Sequence, residues 1–157
     1  MSVQQVDIGS EQCPRVAVSA VDRALDGAAA LCSCTATSLS SGEIIVLRVA
    51  GEVDLSTVSV LQAALTGNLT RGPRHLVVDV AGLTFCSARG ATLLVEAGRT
   101  AAGRVTGYAV TAAGGSLLRI WMLLWPAGDL PIRYPTAAVG VIAAMVRLTE
   151  GTQRRPA

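Results

Sequence analysis

Few side chains in this 157-residue chain are suited to covalent or metal chemistry. There are four cysteines, Cys13, Cys32, Cys34 and Cys86, and one histidine, His75. Cys32 and Cys34 are one residue apart, not two, which fits neither a dithiol redox motif nor a zinc knuckle. His75 has no sequence neighbour to complete a metal cluster. No metal and no cofactor is expected. The cysteines read as small buried hydrophobes. Cys86 has a second reading, because a thiol at a helix N-terminus has a lowered pKa and gains reactivity. All 13 basic residues are Arg, which removes Schiff-base lysines and the phosphate-loop lysine. No nucleophile elbow and no Ser–His–Asp order surrounds His75. Gly114-Gly115-Ser116 could hold an anion at a helix start, but reads first as a turn. With no catalytic set, the chain is not expected to be an enzyme.

The composition narrows the class. Apolar residues make up 51% and charged residues 15%, against about 25% charged in a typical domain. Disorder and coiled coil are thereby disfavoured. The net charge is +2 and the arginines are spread along the chain, so no nucleic-acid stripe stands out. One Phe, two Tyr and two Trp offer little surface for stacking bases. Twenty-five Ala and no Lys fit a GC-rich genome, such as an actinobacterial one. The longest uncharged apolar run, Ala137–Val146, is far short of the roughly 20 residues that cross a bilayer. No secretory signal is visible near the start. A cytoplasmic protein without membrane insertion is expected.

Strand and helix patterns alternate along the chain. Residues 1–27 read as an N-terminal extension, residues 28–149 as the domain and residues 150–157 as a flexible tail. Leu31–Leu39 reads as a strand, Ser40-Ser41-Gly42 as a turn and Ile44–Val49 as a second strand. Asp54 or Ser56 is placed to cap a helix with Leu55, Val58, Leu61, Ala64 and Leu65 inward, ended by Gly67-Asn68 and then Arg71-Gly72-Pro73. His75–Val80 reads as a central strand followed by a turn at Ala81-Gly82. Asp79 within it reads as turn-forming, or as lying near the sheet edge where ligand sites gather. A helix from about Ser87 to Ala102 follows, then a strand at Tyr108–Thr111. Ser116 is placed to cap a helix reaching Trp125, closed by Pro126. Trp121 and Trp125 on it read as core or as an exposed interface patch. A short strand at Ile132–Tyr134 precedes a last helix to about Leu148, with Val139, Ile142, Ala143 and Val146 inward. The order ββαβαβαβα predicts an α/β domain with a mixed or parallel sheet.

Three segments carry a family resemblance over about residues 30–148. They are Leu47-Arg48-Val49-Ala50-Gly51-Glu52-Val53-Asp54, Leu76 to Phe85 with its Asp79-Val80-Ala81-Gly82-Leu83-Thr84-Phe85 run, and the helix start Cys86-Ser87-Ala88-Arg89-Gly90. Together they resemble the STAS domain family, which includes anti-sigma factor antagonists and the cytoplasmic domains of sulfate transporters. The resemblance implies the STAS (SpoIIAA-like) fold, a mixed four- to five-stranded sheet flanked by about four helices. It also implies a partner, an anti-sigma factor of the kinase-type ATPase class, whose binding releases a sigma factor. In such antagonists a Ser or Thr at the second helix start takes a phosphate that breaks the complex. A phosphate there adds about −1.5 to −2 charge within an interface.

The chain departs from the family pattern at that point. Ser87 stands where the family has Asp, Ala88 where it has the phosphorylated Ser, and Arg89 where it has a second hydroxyl. Ala88 cannot take a phosphate. Ser87, one position away and thus rotated by about 100° on a helix, is a weaker phosphorylation candidate and most simply an N-cap. The implied contact surface comprises Glu52, Asp54, Ser56, Thr57, Ser87, Ala88, Arg89 and Gly90, with binding expected to lack phospho-control. Two alternatives stay open. One is an accessory subunit of a lipid or anion transport complex. The other is a small-anion or nucleotide sensor near Ser87, Arg89 and Gly114. A homodimer through the Trp-bearing helix or the N-terminal extension is also open.

Overall fold

A computed structural model describes residues 32–125 and 131–153. Cys13, the N-terminal extension, Pro126 and the last four residues lie outside the described part. The element order is β1 (Cys32–Leu39), a short 3-10 turn at Ser40–Gly42, β2 (Ile44–Val53), α1 (Val58–Thr70), β3 (His75–Cys86), α2 (Ala88–Gly103), β4 (Gly107–Thr111), α3 (Gly115–Leu124), β5 (Ile132–Tyr134) and α4 (Ala137–Gln153). The five strands form one mixed sheet in the order β1-β2-β3-β4-β5. β1 is antiparallel to β2, and every other neighbour is parallel. This is the mixed α/β architecture with four helices that the resemblance implies.

Alternation along the strands sends two sets of side chains to two cores. Ile45, Leu47, Val49, Leu76, Val78, Val80 and Val110 join the larger core with α1, α2 and α3. Ile44, Val46 and Val77 form the smaller one with Ala144 and Leu148 of α4. The central strands carry apolar residues on both faces because both faces are covered.

β2 is longer than expected, and the expected turn at Ala81-Gly82 is strand instead. β2 continues through Gly51-Glu52-Val53, and β3 runs unbroken through Ala81-Gly82 to Cys86. The register explains why Ala81-Gly82 reads as a break. Arg48 pairs with Asp79 and Ala50 with Gly82, then Gly51 with Leu83 and Glu52 with Phe85. β3 therefore carries an extra residue at each of two bulges, and bulges use turn chemistry. Asp79 supplies it: its Oδ1 accepts from the Ala81 N–H at 3.1 Å, and Arg48 Nε lies 3.6 Å from Oδ2. Asp79 is the turn-forming residue of the first bulge.

The helices correct several further expectations. α1 begins after Thr57, so Leu55 lies before it and is exposed. α1 also passes Gly67-Asn68 and ends at Thr70, because Asn68 is buried and Leu69 extends the apolar stripe. The Asn68 Nδ2 donates to the Ala64 carbonyl at 2.8 Å. α3 is capped by Gly114, not Ser116. Trp121 is fully buried with its Nε1–H donating to the Ala91 carbonyl at 3.0 Å, and Trp125 packs partly buried against the same core. The exposed large apolar residues of α3 are Met122, Leu123 and Leu124 instead. α4 faces the sheet with Gly140, Ala144 and Leu148, while Val139, Ile142 and Val146 are exposed. A Cβ at Gly140 would lie 2.8 Å from Thr111 Cγ2 and 3.1 Å from Val77 Cγ1. That close approach selects the small-residue face, which periodicity alone does not reveal in a helix apolar nearly all round. α4 also runs on to Gln153, since Gly151 alone does not stop a helix and Pro156 comes later.

Candidate functional site

The carboxyl ends of the parallel strands present two segments side by side. The first is the loop from Asp54 to Thr57. Asp54 Oδ1 accepts from the backbone N–H of Ser56 at 2.8 Å and of Thr57 at 3.1 Å, and from the Ser56 hydroxyl at 2.7 Å. The Asp54 carbonyl accepts from the Val58 N–H at 2.9 Å. The carboxylate bonds, from Ser56 first, hold the Asp54 carboxyl below the usual carboxylate range. The Thr57 hydroxyl donates to the Glu52 carbonyl at 2.7 Å. Asp54 thus closes the loop one turn ahead of the helix, and Thr57 takes the N-cap position expected for Asp54 or Ser56. The closed loop projects Leu55, which is 85% exposed.

The second segment is the start of α2. The Ser87 N–H donates to the Val53 carbonyl at 2.7 Å, which joins it to the end of β2. Ser87 has extended backbone, φ −70° and ψ 163°, and its Oγ accepts from the Gly90 N–H at 3.2 Å. It is the N-cap, as its residue type dictates. Ala88 and Arg89 are exposed on the first turn. Arg89 does not lie over the helix terminus. Its Nη1 sits 3.5 Å from Glu96 Oε1, two turns down the helix, where the guanidinium escapes the unfavourable N-terminal dipole. Both partners are half-exposed, so the pair adds little stability.

Gly90, grouped above with the contact residues, is buried. A Cβ there would lie 2.6 Å from Val53 Cγ1 and 2.9 Å from Cys86 Sγ. The glycine lets α2 sit against the end of β2, and this packing holds the two segments together. Cys86 is not activated by its position. Burial pushes its thiol up to about 11, with Cys32 adding to the shift. It is a packing thiol, the first of the two readings.

The structure therefore brings Glu52, Asp54, Ser56, Thr57, Ser87, Ala88 and Arg89 to one edge. It adds two residues that the sequence reading missed. Phe85, near the end of β3 and paired with Glu52, is 50% exposed, and Leu55, two residues beyond the end of β2, is exposed as well. The available signal was an apolar residue two positions before a helix cap, which periodicity assigns to the core by default. A cavity of about 100 Å³ lies between the β3 end and the α3 start, lined by Leu83, Phe85, Ala112, Gly114, Ser116 and Leu117. That is below the roughly 300–1,000 Å³ of small-molecule pockets. No group of three or more His, Cys, Asp or Glu among the described residues is placed to hold a metal ion. No helix among them is long and apolar enough to cross a membrane.

The site thus lies on a mixed sheet with three helices on one face, where a helix N-terminus and a loop are exposed at the strand ends. The family model described as "Mlab, STAS domain" matches residues 37–124, more than half of the chain. The chain belongs to the STAS domain family. No curated protein matches. Among solved structures, an anti-sigma factor antagonist from Mycobacterium paratuberculosis is similar, with 24% identity and a TM-score of 0.64 over 73% of this chain and 94% of that one. RsbS from Moorella thermoacetica matches with 16% identity and a TM-score of 0.61 over 74% of this chain and 97% of that one. The anti-sigma factor antagonist SpoIIAA in its unphosphorylated form matches with 16% identity and a TM-score of 0.57, covering 73% and 98%. At these identities the likeness is one of fold.

Proposed function

We propose that this chain is a non-catalytic protein-binding module of the anti-sigma antagonist kind. It would bind an anti-sigma factor of the kinase-type ATPase class through the Asp54–Thr57 loop and the start of α2, and so release a sigma factor. The observation that supports this most is the exposure of Leu55, in the loop after β2, and of Phe85, two residues before the Ser87 cap, with Glu52 and Arg89 exposed on the same two segments. Exposed large apolar residues framed by charge are the anatomy of a contact site. The surrounding backbone is rigid, because the loop and helix start are each bonded to β2.

The phospho-switch is proposed to be absent. Ala88 has no hydroxyl, and the Ser87 hydroxyl is committed to the Gly90 N–H. Phosphorylation of Ser87 would give up that cap bond in its present form and is the weaker alternative. Binding would then be constitutive and controlled by the amounts of the partners. Incubation of the chain with its captured ATPase and ATP, read by intact mass, tests this. No mass gain is expected, and a single phosphate on Ser87 would overturn the constitutive reading. Capture of a permease and its transport ATPase, with no anti-sigma factor, would move the module to the transport-accessory role.

A further inference from the structure

The opposite end of the sheet carries a feature that partner binding at the carboxyl strand ends does not use. A groove of about 410 Å³ opens between the second half of α2, the start of β4 and the second half of α4. Its walls include Val95, Tyr108, Pro131 and Ile132, and two arginines, Arg99 and Arg147, line it. The groove exists because β5 is short. Ile132 pairs with Ala109, so Gly107 and Tyr108 extend below the first residue of β5 and have no strand partner on that flank among the described residues. The volume falls within the roughly 300–1,000 Å³ of small-molecule sites.

Among the described residues, the groove lining carries two arginines and no acidic side chain. Arg99 and Arg147 make no ion pair among the described residues. Glu96, one turn before Arg99, is engaged by Arg89 at 3.5 Å. Glu150, one turn beyond Arg147, forms no ion pair within 4.0 Å among the described residues. A narrower cavity adjoins the groove and shares Gly107, Tyr108, Ile132 and Arg147 with it, and His75 lines that cavity. The His75 imidazole is held below its ordinary pKa by burial first, then by Arg147 and Arg74. Glu43 opposes the two arginines at this imidazole.

The geometry points to a second binding site here, for an amphipathic organic anion. One carboxylate, sulfonate or phosphate group would sit between Arg99 and Arg147, and a flat or short apolar body would lie against Val95, Tyr108 and Ile132. Arginine suits the anionic head because its planar fork donates two bonds at once. The site is independent of the proposed partner surface, since it sits at the amino ends of β3 and β4.

The test uses 1-anilinonaphthalene-8-sulfonate as the probe on the full chain, with its neutral analogue N-phenyl-1-naphthylamine as the control. Fluorescence titration gives the affinity, and backbone amide shifts give the location. Saturable 1:1 binding is expected, with shifts centred on Gly98, Tyr108 and Ile132. Arg99→Gln and Arg147→Gln should each weaken the sulfonate by about tenfold and leave the neutral analogue unchanged. Both arginines are exposed, so neither substitution threatens folding. Shifts centred on Met122–Leu123 or on the outer face of α4, or unaltered affinity in both variants, would overturn the proposal. Partner capture by Arg147→Gln should match wild type, which separates a failure here from a failure of the partner reading.

Discussion

Adding one methyl group at Gly90 should destabilise the domain, whereas the same change at Gly67 should stabilise it. The new Cβ at Gly90 would lie 2.6 Å from Val53 Cγ1 and 2.9 Å from Cys86 Sγ. Comfortable contact between carbons is about 3.5–4.0 Å, so the overlap with Val53 is roughly 1 Å. Val53 cannot swing aside, because it is fully buried and β-branched. Overpacking costs about 1–3 kcal/mol, and an overlap of this size with an immobile neighbour takes the upper part, about 2–3 kcal/mol. The better helix propensity of Ala returns up to about 1 kcal/mol, leaving Gly90→Ala less stable by about 1–2 kcal/mol. Gly67 lies inside α1, is exposed, and has nothing within 4 Å of a new Cβ. Gly67→Ala should therefore gain about 0.5–1 kcal/mol. Urea unfolding of the two variants beside wild type reads both values. Equal signs, or a Gly90→Ala protein as stable as wild type, would refute the claim that α2 is wedged against β2.

Three further outcomes follow from the same site and its surroundings. Ser87→Ala should lose about 1 kcal/mol with the cap bond, while Ser87→Asp keeps a capping oxygen and stays within about 0.5 kcal/mol of wild type; equal losses in urea unfolding would show that Ser87 is not acting as a cap. Cys86, with its thiol pushed up to about 11, should alkylate at pH 8 at least about tenfold more slowly in the folded chain than in urea; site-resolved mass spectrometry showing equal rates would contradict its packing role. The His75 imidazole is held below its ordinary pKa in the folded state, so the unfolded chain binds the proton more readily. Its stabilising contribution is then complete above about pH 6.5 and is lost as pH falls below that value. His75→Gln should flatten the decline in thermal stability between about pH 7 and pH 5, and an unchanged decline would remove His75 as its source.

Much of the architecture was legible because strand content and helix spacing alternate cleanly from Leu31 onward. The central strands Ile44–Val49 and His75–Val80 were readable because both are apolar on both faces, as strands covered on both sides must be. The errors have local causes. Ala81-Gly82 carries turn chemistry, but a bulge uses the same chemistry inside a continuous strand. The inward face of α4 was misjudged because Val139, Ile142 and Val146 are larger and more apolar than Gly140 and Ala144, yet only the small residues let the helix approach the sheet. At the candidate site, the capping role of Ser87 was readable from its residue type and position. The exposure of Leu55 and Phe85 was not, since an apolar residue is assigned to the core unless tertiary structure shows it outside. The turn of Arg89 toward Glu96 likewise depends on a side-chain path that spacing alone leaves open.

The most direct test of the proposed contact surface is affinity capture from an extract of the source organism, with wild type beside Leu55→Glu, Phe85→Glu and Arg89→Glu. Wild type is expected to retain an anti-sigma ATPase, and Leu55→Glu and Phe85→Glu to lose it while remaining folded by circular dichroism. Arg89→Glu should weaken capture, because it reverses a rim charge. Retention of the same ATPase by all three variants would contradict a contact surface at the Asp54–Thr57 loop and the start of α2.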